Sequence, residues 1–328
     1  MDKESKEILV SVSIITYNQK EFIGEAIDSV LMQEVDFNYE IIIGDDCSSD
    51  GTQEILKEYE AKYPAIIQLI LHPRRYSEIP GRTNNITNIY ACRGKYIALL
   101  DGDDFWISKD KLQKQVDFLE ANPDYSIFGH QAKIAEKDSK ITAISKTHHE
   151  EKFDSARLKM VDLFKTPYAF ISTSTFMFRN NALGEFPGWF WEIISADFAL
   201  MLLLTQKGDL KFSKDIYSGY RRHGDSFMVN HFFTVENLAL KINELRLYRK
   251  VFIPYSFHEN FLKYLKKSSA IQRRIAYIKY YHLAKLHHEK QHYFILKKTL
   301  PYSLTDLSFL FFPKLVYKKL RKSVLRTK

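Results

Sequence analysis

The amino-terminal part of the chain alternates between short apolar segments and segments with helical periodicity. The apolar segments are Val10–Thr16, Tyr39–Ile43, Ile66–Leu71 and Tyr96–Leu100. Between them, apolar residues recur at helical spacing from Glu21 to Gln33, after Thr52 and from Asn84 to Ala91. Strands that alternate with helices in this way form a mostly parallel sheet with helices on both faces. The sequence therefore predicts an α/β fold.

Polar side chains follow three of the predicted strands, at the point where each strand ends. These clusters are Thr16–Asn18, Asp45–Asp46 and Asp101–Asp104. Ligands of such sheets bind outside the carboxyl ends of the strands. We therefore expect the three clusters to meet in one binding site.

The third cluster is an acidic turn with the sequence Asp-Gly-Asp-Asp at residues 101–104. Carboxylates this close raise one another's pKa unless a cation or hydrogen-bond donors compensate. Carboxylate oxygens suit Mg²⁺ or Mn²⁺, which commonly bridge the phosphates of a substrate. One interpretation is a metal–diphosphate site, and the alternative is a solvated turn in which Gly102 supplies a permissive backbone. The expected convergence of the three clusters favours the metal site.

Composition and motifs argue against several classes of protein. The chain has 328 residues of ordinary globular composition, and its two cysteines, Cys47 and Cys92, fit neither a disulfide framework nor a structural zinc site. The sequence lacks the phosphate loop Gly-x-x-x-x-Gly-Lys, the nicotinamide fingerprint Gly-x-Gly-x-x-Gly and the hydrolase elbow Gly-x-Ser-x-Gly. A calcium loop starting at Asp46 fails because Lys57 occupies the position of the bidentate glutamate. What remains is a nucleotide site made of carboxylates, which suits a sugar nucleotide better than phosphoryl transfer from ATP.

Basic residues are concentrated at the carboxyl end of the chain. Residues 261–328 hold 17 Lys and Arg against 2 Asp and Glu, whereas the rest of the chain holds 31 basic and 38 acidic residues. Such a segment favours anionic partners. We expect residues 231–328 to form a basic, aromatic helical region on an anionic membrane surface, the alternative being a helical cap with a solvated charged face. No recognised nucleic-acid-binding module accompanies the charge, so no nucleic-acid partner is expected.

The sequence also bears on location. The chain begins with the charged segment MDKESKE, which is unlike a signal peptide. Its apolar runs are shorter than the roughly 20 residues that a membrane-spanning helix needs. We expect a cytoplasmic protein that attaches peripherally to the inner face of the membrane.

Four segments give a more specific indication. They are SIITYN (Ser13–Asn18), IGDDCSSDGT (Ile43–Thr52), GKYIALLDGDD (Gly94–Asp104) and KLQKQVDFLEANP (Lys111–Pro123). In order and spacing they resemble the family 2 inverting glycosyltransferases, which have the glycosyltransferase-A fold. The resemblance implies a catalytic domain over residues 8–230, with a nucleotide-sugar half (8–108) and an acceptor half (109–230). Residues 231–328 follow as the C-terminal helical region.

The resemblance implies a nucleotide pocket at the ends of the first two strands. Asp46, with Asp45 beside it, would contact a uracil or thymine base or its ribose. Thr16 and Asn18 would line the same pocket. The donor expected from these residues is a UDP- or dTDP-sugar.

The resemblance also implies a metal at the acidic turn. Asp103 and Asp104 would hold the donor and an Mn²⁺ or Mg²⁺ ion on its diphosphate, with Asp101 in possible support of the turn. Many relatives have an Ala-Arg-Asn triplet where this chain has Asn84–Ile86. Residues 84–86 of this chain therefore lack the basic group of that triplet, and Arg82 is expected to supply it.

Three further residues in the second half match the family pattern. Asp197 precedes an apolar helix, as the acceptor-activating acid does in relatives, although Asp is also a common helix N-cap. An inverting transfer needs such a base, because the acceptor hydroxyl loses its proton as it attacks. Arg221 would offset charge on the leaving group, and His223 would ligate the metal or contact phosphate. The alternative for these two is a basic surface turn.

The expected activity is the transfer of one sugar from a nucleotide-diphospho-sugar to a hydroxyl of a glycan or lipid-linked acceptor, with inversion. Surface polysaccharide or lipopolysaccharide assembly is the setting that the resemblance implies. A sugar-nucleotide pyrophosphorylase is one alternative, but Thr16–Gln19 is not the Gly-rich basic loop that grips a triphosphate. A catalytically degenerate sugar-nucleotide-binding protein is the other, and the intact acidic residues argue against it.

Overall fold

The computed structural model describes residues 7–75, 79, 81–144, 157–163, 171–193, 195–223 and 251. The strands in these ranges are β1 (Ile8–Thr16), β2 (Asn38–Asp45), β3 (Ile67–Leu71), β4 (Tyr96–Asp101), β5 (Phe105–Trp106), β6 (Tyr125–Ala135), β7 (Ile141–Ile144), β8 (Arg157–Leu158), β9 (Met177–Arg179) and β10 (Asp209–Arg221). The α-helices are α1 (Ile23–Leu31), α2 (Thr52–Lys62), α3 (Arg82–Ala91), α4 (Lys111–Ala121), α5 (Met160–Leu163) and α6 (Ala196–Leu204).

All of these strands belong to one sheet with the order β3-β2-β1-β4-β9-β6-β10-β5, in which β7 pairs with β6 and β8 with β10. The first four strands of this order are parallel, which confirms the predicted β-α-β arrangement. Beyond β4 the sheet is mixed. β9 runs antiparallel to both β4 and β6, whereas β6 and β10 are parallel to each other.

Helices cover both faces of the sheet, as predicted. On one face, α1, α2 and α4 contribute Ile27, Leu56 and Leu112 to an apolar core. On the other face, α3 and α6 contribute Ile86 and Leu200 to a second core. Each helix is stabilised by the apolar stripe that it buries more than by its intrinsic propensity.

One predicted strand is only partly formed. Alternating polarity predicts a strand from Ser172 to Arg179, but only Met177–Arg179 is extended. Thr175 donates both its backbone N–H and its hydroxyl to the Ser172 carbonyl, which closes a 3₁₀ turn over Thr173–Thr175. Hydroxyl side chains compete with strand hydrogen bonding in this way.

The predicted helical region at residues 231–328 lies outside the described residues, apart from Val251. The domain bounds at residues 108 and 230 therefore stay predictions. None of the described helices is both long and apolar enough to cross a membrane.

Candidate active site

The carboxyl ends of β1, β2 and β4 lie side by side at one edge of the sheet. Thr16 is in register with Asp45, and Ile15 is in register with Asp101. The N–H of Asp46 donates to the Thr16 carbonyl at 3.0 Å. The structure therefore brings together the three polar clusters that the sequence places at strand ends.

Gly102 lets the acidic turn approach β1 closely. Its N–H donates to the Ile15 carbonyl at 2.9 Å. A Cβ at this position would lie 2.5 Å from Oε1 of Gln19 and 3.0 Å from Thr16. The residue does not have a positive φ. The turn thus requires glycine for its missing side chain and not, as the solvated-turn alternative supposed, for a permissive backbone.

Asp45 and Asp46 are both buried but have different partners. Asp45 accepts the N–H and the hydroxyl of Ser48, which closes the loop that follows β2. Asp46 instead accepts from Nε of Arg75 and from the N–H of Gly81, each at 3.2 Å. Asp45 therefore shapes the loop, and Asp46 is the better candidate for contact with a nucleotide.

Thr16 and Asn18, the two other residues expected in this pocket, border the same loop. Thr16 is buried, and its Oγ1 has no hydrogen-bond partner among the residues that the structure describes. Asn18 is exposed, has a φ of 52° and accepts the N–H of Ser49 at its Oδ1. The Thr16 hydroxyl is thus a buried polar group at this edge that lacks a partner among the described residues.

An aromatic and a basic side chain lie beside Asp46. The Arg75 guanidinium lies 4.2 Å from the centre of the Tyr17 ring, and both side chains are more than a third exposed. An exposed aromatic ring next to a carboxylate can stack on a nucleobase while the carboxylate accepts a base N–H. Sequence reasoning missed Arg75, because it lies in the loop after β3, where no motif marks it.

Arg82 contacts the segment that precedes α6. Its side chain is buried, and Nη2 donates to the Ile193 carbonyl at 2.7 Å. The guanidinium also lies 4.7 Å from the centre of the Phe190 ring. These contacts link α3 to the segment that precedes α6, and the expected contact of Arg82 with the donor stays a prediction.

Asp104 is the deepest carboxylate of the acidic turn, with 1% of its surface exposed. Its Oδ1 accepts the backbone N–H of Arg221 at 2.9 Å, and its Oδ2 accepts the hydroxyl of Ser172 at 3.4 Å. Burial, followed by the charge of Asp103, raises the pKa of Asp104 well above its usual value. Asp104 is thus placed to shape the turn more than to contact a metal ion directly.

Asp103 pairs with His223 across the site. His223 Nε2 lies 3.0 Å from Oδ2 of Asp103, and the histidine side chain is almost fully buried. Its Nδ1 lacks a hydrogen-bond partner within the described ranges. The close approach agrees with the expectation that both residues act at one point.

The residues present fit a divalent cation that is shared with a substrate. Within the part of the chain that the structure describes, no group of three His, Cys, Asp or Glu side chains has metal-site geometry. However, Mg²⁺ and Mn²⁺ commonly use only one or two protein ligands together with substrate phosphates. A carboxylate oxygen of Asp103 and Nε2 of His223 form such a pair.

The guanidinium of Arg221 lies inside the protein, with only 1% of the side chain exposed. Nε donates to the Asp103 carbonyl at 2.8 Å, and Nη2 donates to Glu25 at 2.6 Å. Nη1 donates to the Lys137 carbonyl and the Ser139 hydroxyl. All three guanidinium nitrogens thus have protein partners. Arg221 therefore stabilises the acidic turn, and none of these nitrogens is left without a partner for contact with a leaving group. It is also the last residue of β10 and not part of a surface turn.

Asp197 lies close to the acidic turn. The N-cap of α6 is Ser195, so the alternative that Asp197 is the N-cap is wrong. The pKa of Asp101 is raised to about 7, first by burial, then by the charge of Asp103 and then by that of Asp197. The charge of a carboxylate from the second half of the chain therefore acts on the acidic turn of the first.

The family model for glycosyl transferase family 2 matches residues 11–186, which is more than half of the chain. The chain belongs to glycosyltransferase family 2. The match includes the carboxyl ends of β1, β2 and β4, where the acidic clusters meet. The resemblance inferred from the four sequence segments is thus confirmed.

Two relatives show how far this chain resembles known proteins. An uncharacterised protein of Mycobacterium tuberculosis is 31% identical over 215 residues, which are 65% of this chain and 59% of that protein. The chain thus spans less than two thirds of that relative. The Escherichia coli enzyme WfaP is 29% identical over 68% of this chain and 81% of its own length. It is named UDP-Glc:α-D-GlcNAc-diphosphoundecaprenol β-1,3-glucosyltransferase.

A solved structure supports the fold of this chain. The mannosyltransferase PcManGT of Pyrobaculum calidifontis, determined with GDP-Man and Mn²⁺, superimposes with a TM-score of 0.54. The match covers 98% of this chain and 86% of that enzyme at 15% identity. Identity this low is evidence for the fold alone, which is the predicted glycosyltransferase-A fold.

Proposed function

We propose that the chain is an inverting glycosyltransferase that moves one sugar from a nucleotide-diphospho-sugar to an acceptor hydroxyl in a cation-dependent reaction. The main support is the meeting of Asp103 and His223, 3.0 Å apart, at the sheet edge that also holds Asp101. Asp197 approaches the same edge from the second half. Groups able to bind a diphosphate and to accept a proton thus lie together.

The nucleoside of the donor binds at the ends of β1 and β2. Its base stacks on Tyr17 and donates an N–H to Asp46, while Thr16 and Asn18 border the ribose. A pyrimidine N–H matches the carboxylate of Asp46, so UDP- and dTDP-sugars are the favoured donors. WfaP, whose name specifies UDP-Glc, provides independent support for UDP.

The diphosphate lies at Asp103 and His223, the two residues that would hold Mn²⁺ or Mg²⁺. A bound cation supplies positive charge to the leaving diphosphate. Asp101 and Asp104 keep the turn in place around Asp103. Arg221 stabilises the turn by donating hydrogen bonds to the Asp103 carbonyl and the Asp104 carboxylate.

Asp197 acts as the general base. It removes the proton of the acceptor hydroxyl as the oxygen attacks the anomeric carbon from the face opposite the leaving group. The new C–O bond forms while the bond to the diphosphate oxygen breaks, which inverts the anomeric configuration. The products are the glycosylated acceptor and a nucleoside diphosphate, with the proton on Asp197.

The acceptor in this proposal is a glycan or a lipid-linked sugar of a surface polysaccharide pathway. The name of WfaP, which specifies a diphosphoundecaprenol-linked acceptor, supports a lipid-linked substrate. The basic residues 261–328 would bring the cytoplasmic enzyme to an anionic membrane surface. Charge reversal of Lys318, Lys319 and Arg321 should then weaken co-sedimentation with phosphatidylglycerol vesicles, and equal binding would contradict the membrane part.

A donor panel tests the central proposal. Purified full-length protein is incubated with UDP-, dTDP- and GDP-sugars, with and without Mn²⁺, and released nucleotide is measured. We expect release from a UDP- or dTDP-sugar that needs the cation and is abolished in Asp103→Asn. If no sugar nucleotide binds or turns over, the proposed function is wrong.

A further inference from the structure

Arg221 and Glu25 form an ion pair that the proposed reaction does not use. Nη2 of Arg221 lies 2.6 Å from Oε2 of Glu25, a residue in the first turn of α1. Ser139 donates its hydroxyl to the same Glu25 oxygen at 2.8 Å and accepts from Nη1 of Arg221 at 2.9 Å. The guanidinium is thereby fixed to α1 and to the turn that joins β6 to β7.

Two aromatic rings pack against the same guanidinium. It lies 4.8 Å from the centre of the Phe22 ring and 4.9 Å from that of Phe105. The ring of Phe22 also lies 4.7 Å from the ring of His223. Arg221 and His223 therefore share one aromatic support at the start of α1.

Arg221 is hydrogen-bonded to the acidic turn on one side of the Asp103–His223 pair and is close in sequence to the histidine on the other. Its Nε donates to the carbonyl of Asp103, and its N–H donates to the carboxylate of Asp104. His223 lies only two residues after Arg221 in the chain. A shift of Arg221 therefore changes the distance between the Asp103 carboxylate and the His223 ring.

We propose that Arg221, anchored by Glu25, is a positioning residue that sets the Asp103–His223 separation and thereby the affinity of the site for a divalent cation. The inference rests on the proposed function and adds Glu25 to the residues that determine it. Groups that orient ligands without touching the metal typically change its affinity 10- to 100-fold. The planar guanidinium makes four hydrogen bonds in fixed directions, two of them from Nη1, and the backbone N–H of Arg221 makes a fifth.

Glu25 offers a cleaner test than Arg221, because its side chain is 41% exposed and Glu25→Gln keeps an amide oxygen that can still accept from the buried Nη2 of Arg221. Glu21 provides a matched control. It lies one helical turn before Glu25, is 65% exposed and pairs with Nζ of Lys137, on the same β6–β7 turn. Glu21→Gln removes the same charge near the same turn but leaves the anchor of Arg221 intact.

The experiment measures Mn²⁺ binding to the full-length protein in the presence of UDP, by electron paramagnetic resonance of the free ion. We expect the dissociation constant to rise about 10-fold in Glu25→Gln and to stay unchanged in Glu21→Gln. Turnover of Glu25→Gln should recover at saturating Mn²⁺, so that the cation requirement changes while kcat does not. Arg221→Lys should show the same rise, because one ammonium cannot make the guanidinium contacts.

Equal Mn²⁺ affinities in Glu25→Gln and Glu21→Gln would overturn the positioning role. So would a kcat of Glu25→Gln that stays low at saturating Mn²⁺ together with a lowered melting temperature. A wild-type protein that transfers sugar without binding Mn²⁺ contradicts this inference but not sugar transfer. A wild-type protein that neither binds nor turns over any sugar nucleotide contradicts both.

Discussion

His223 Nε2 and Asp103 Oδ2 lie 3.0 Å apart although 120 residues separate them in the chain. The contact follows from the pairing of β10 with β5, in which Gly219 is opposite Phe105. A Cβ on Gly219 would lie 2.5 Å from the Phe105 ring, so glycine is needed for this pairing. The end of β10 is thereby laid against the acidic turn.

Replacing Asp103 by Asn should weaken Mn²⁺ binding and lower kcat/KM by at least about 100-fold. Loss of a residue that only orients a metal ligand already lowers metal affinity or activity about 10- to 100-fold. The substitution keeps the size of the side chain and removes its charge. Mn²⁺ titration of donor turnover measures the effect. Asp117→Asn, at an exposed position of α4, serves as the control and should behave as wild type. A cation requirement that Asp103→Asn leaves unchanged would contradict the assignment.

Asp197→Asn should lower kcat by about 10²- to 10⁴-fold, the range expected when a general base is lost. Affinity for UDP should remain, because the proposed role of Asp197 is to take the proton of the acceptor hydroxyl and not to bind the nucleotide. Rapid-quench transfer assays and calorimetric UDP titration separate the two quantities. Normal turnover in this variant would exclude Asp197 as the base.

Arg75→Ala should tighten UDP binding several-fold. The Arg75 guanidinium lies over the Tyr17 ring and donates to Asp46, so it occupies the two groups that the base is proposed to use. Isothermal titration with UDP measures the change, and the neighbouring substitution Arg74→Ala is the comparison. Weaker binding in Arg75→Ala would instead mean that Arg75 contacts the donor.

Lys111→Met should stabilise the protein by on the order of 1 kcal/mol at pH 7. Lys111 is fully buried; its Nζ donates to Gln115 and lies 4.0 Å from the Trp106 ring centre. Burial lowers the pKa of its amine well below the usual value. Below about pH 10.4 the unfolded chain holds this proton more tightly than the folded one, so wild-type stability rises with pH toward that value.

The gain from Lys111→Met should accordingly be larger at pH 7 than at pH 10, as measured by urea unfolding at both values. Lys114→Met is the matched control on the same helix, because Lys114 is 50% exposed and pairs with Asp110 at the surface. We expect no comparable gain from it. A pH-independent effect of Lys111→Met would show that the lysine does not resist protonation in the folded state.

The sequence predicts the first half of the fold well, because apolar segments there alternate with segments of helical periodicity, and three of the four strands end in a polar cluster. The strand predicted from Ser172 to Arg179 is shortened to Met177–Arg179, and the alternating pattern could not show this, since 3₁₀ turns lie on both sides of the three residues. Residue types at the site were predictable, but their directions were not. The guanidinium of Arg221 turns inward because Glu25, 196 residues away, accepts from it.

Helix α3 has a consequence for the exchange of parts between relatives. Gly81, at its start, donates to Asp46; Arg82 donates to the Ile193 carbonyl; and Tyr90, near its end, accepts the N–H of Phe186. One helix thus contacts Asp46, directly after β2, and both ends of the segment 186–193 that precedes α6. A chimaera built by joining two family members between β4 and β5 would separate that segment from the helix on which it rests. We therefore expect such a chimaera to fold well only if α3 and residues 186–193 are transplanted as a unit.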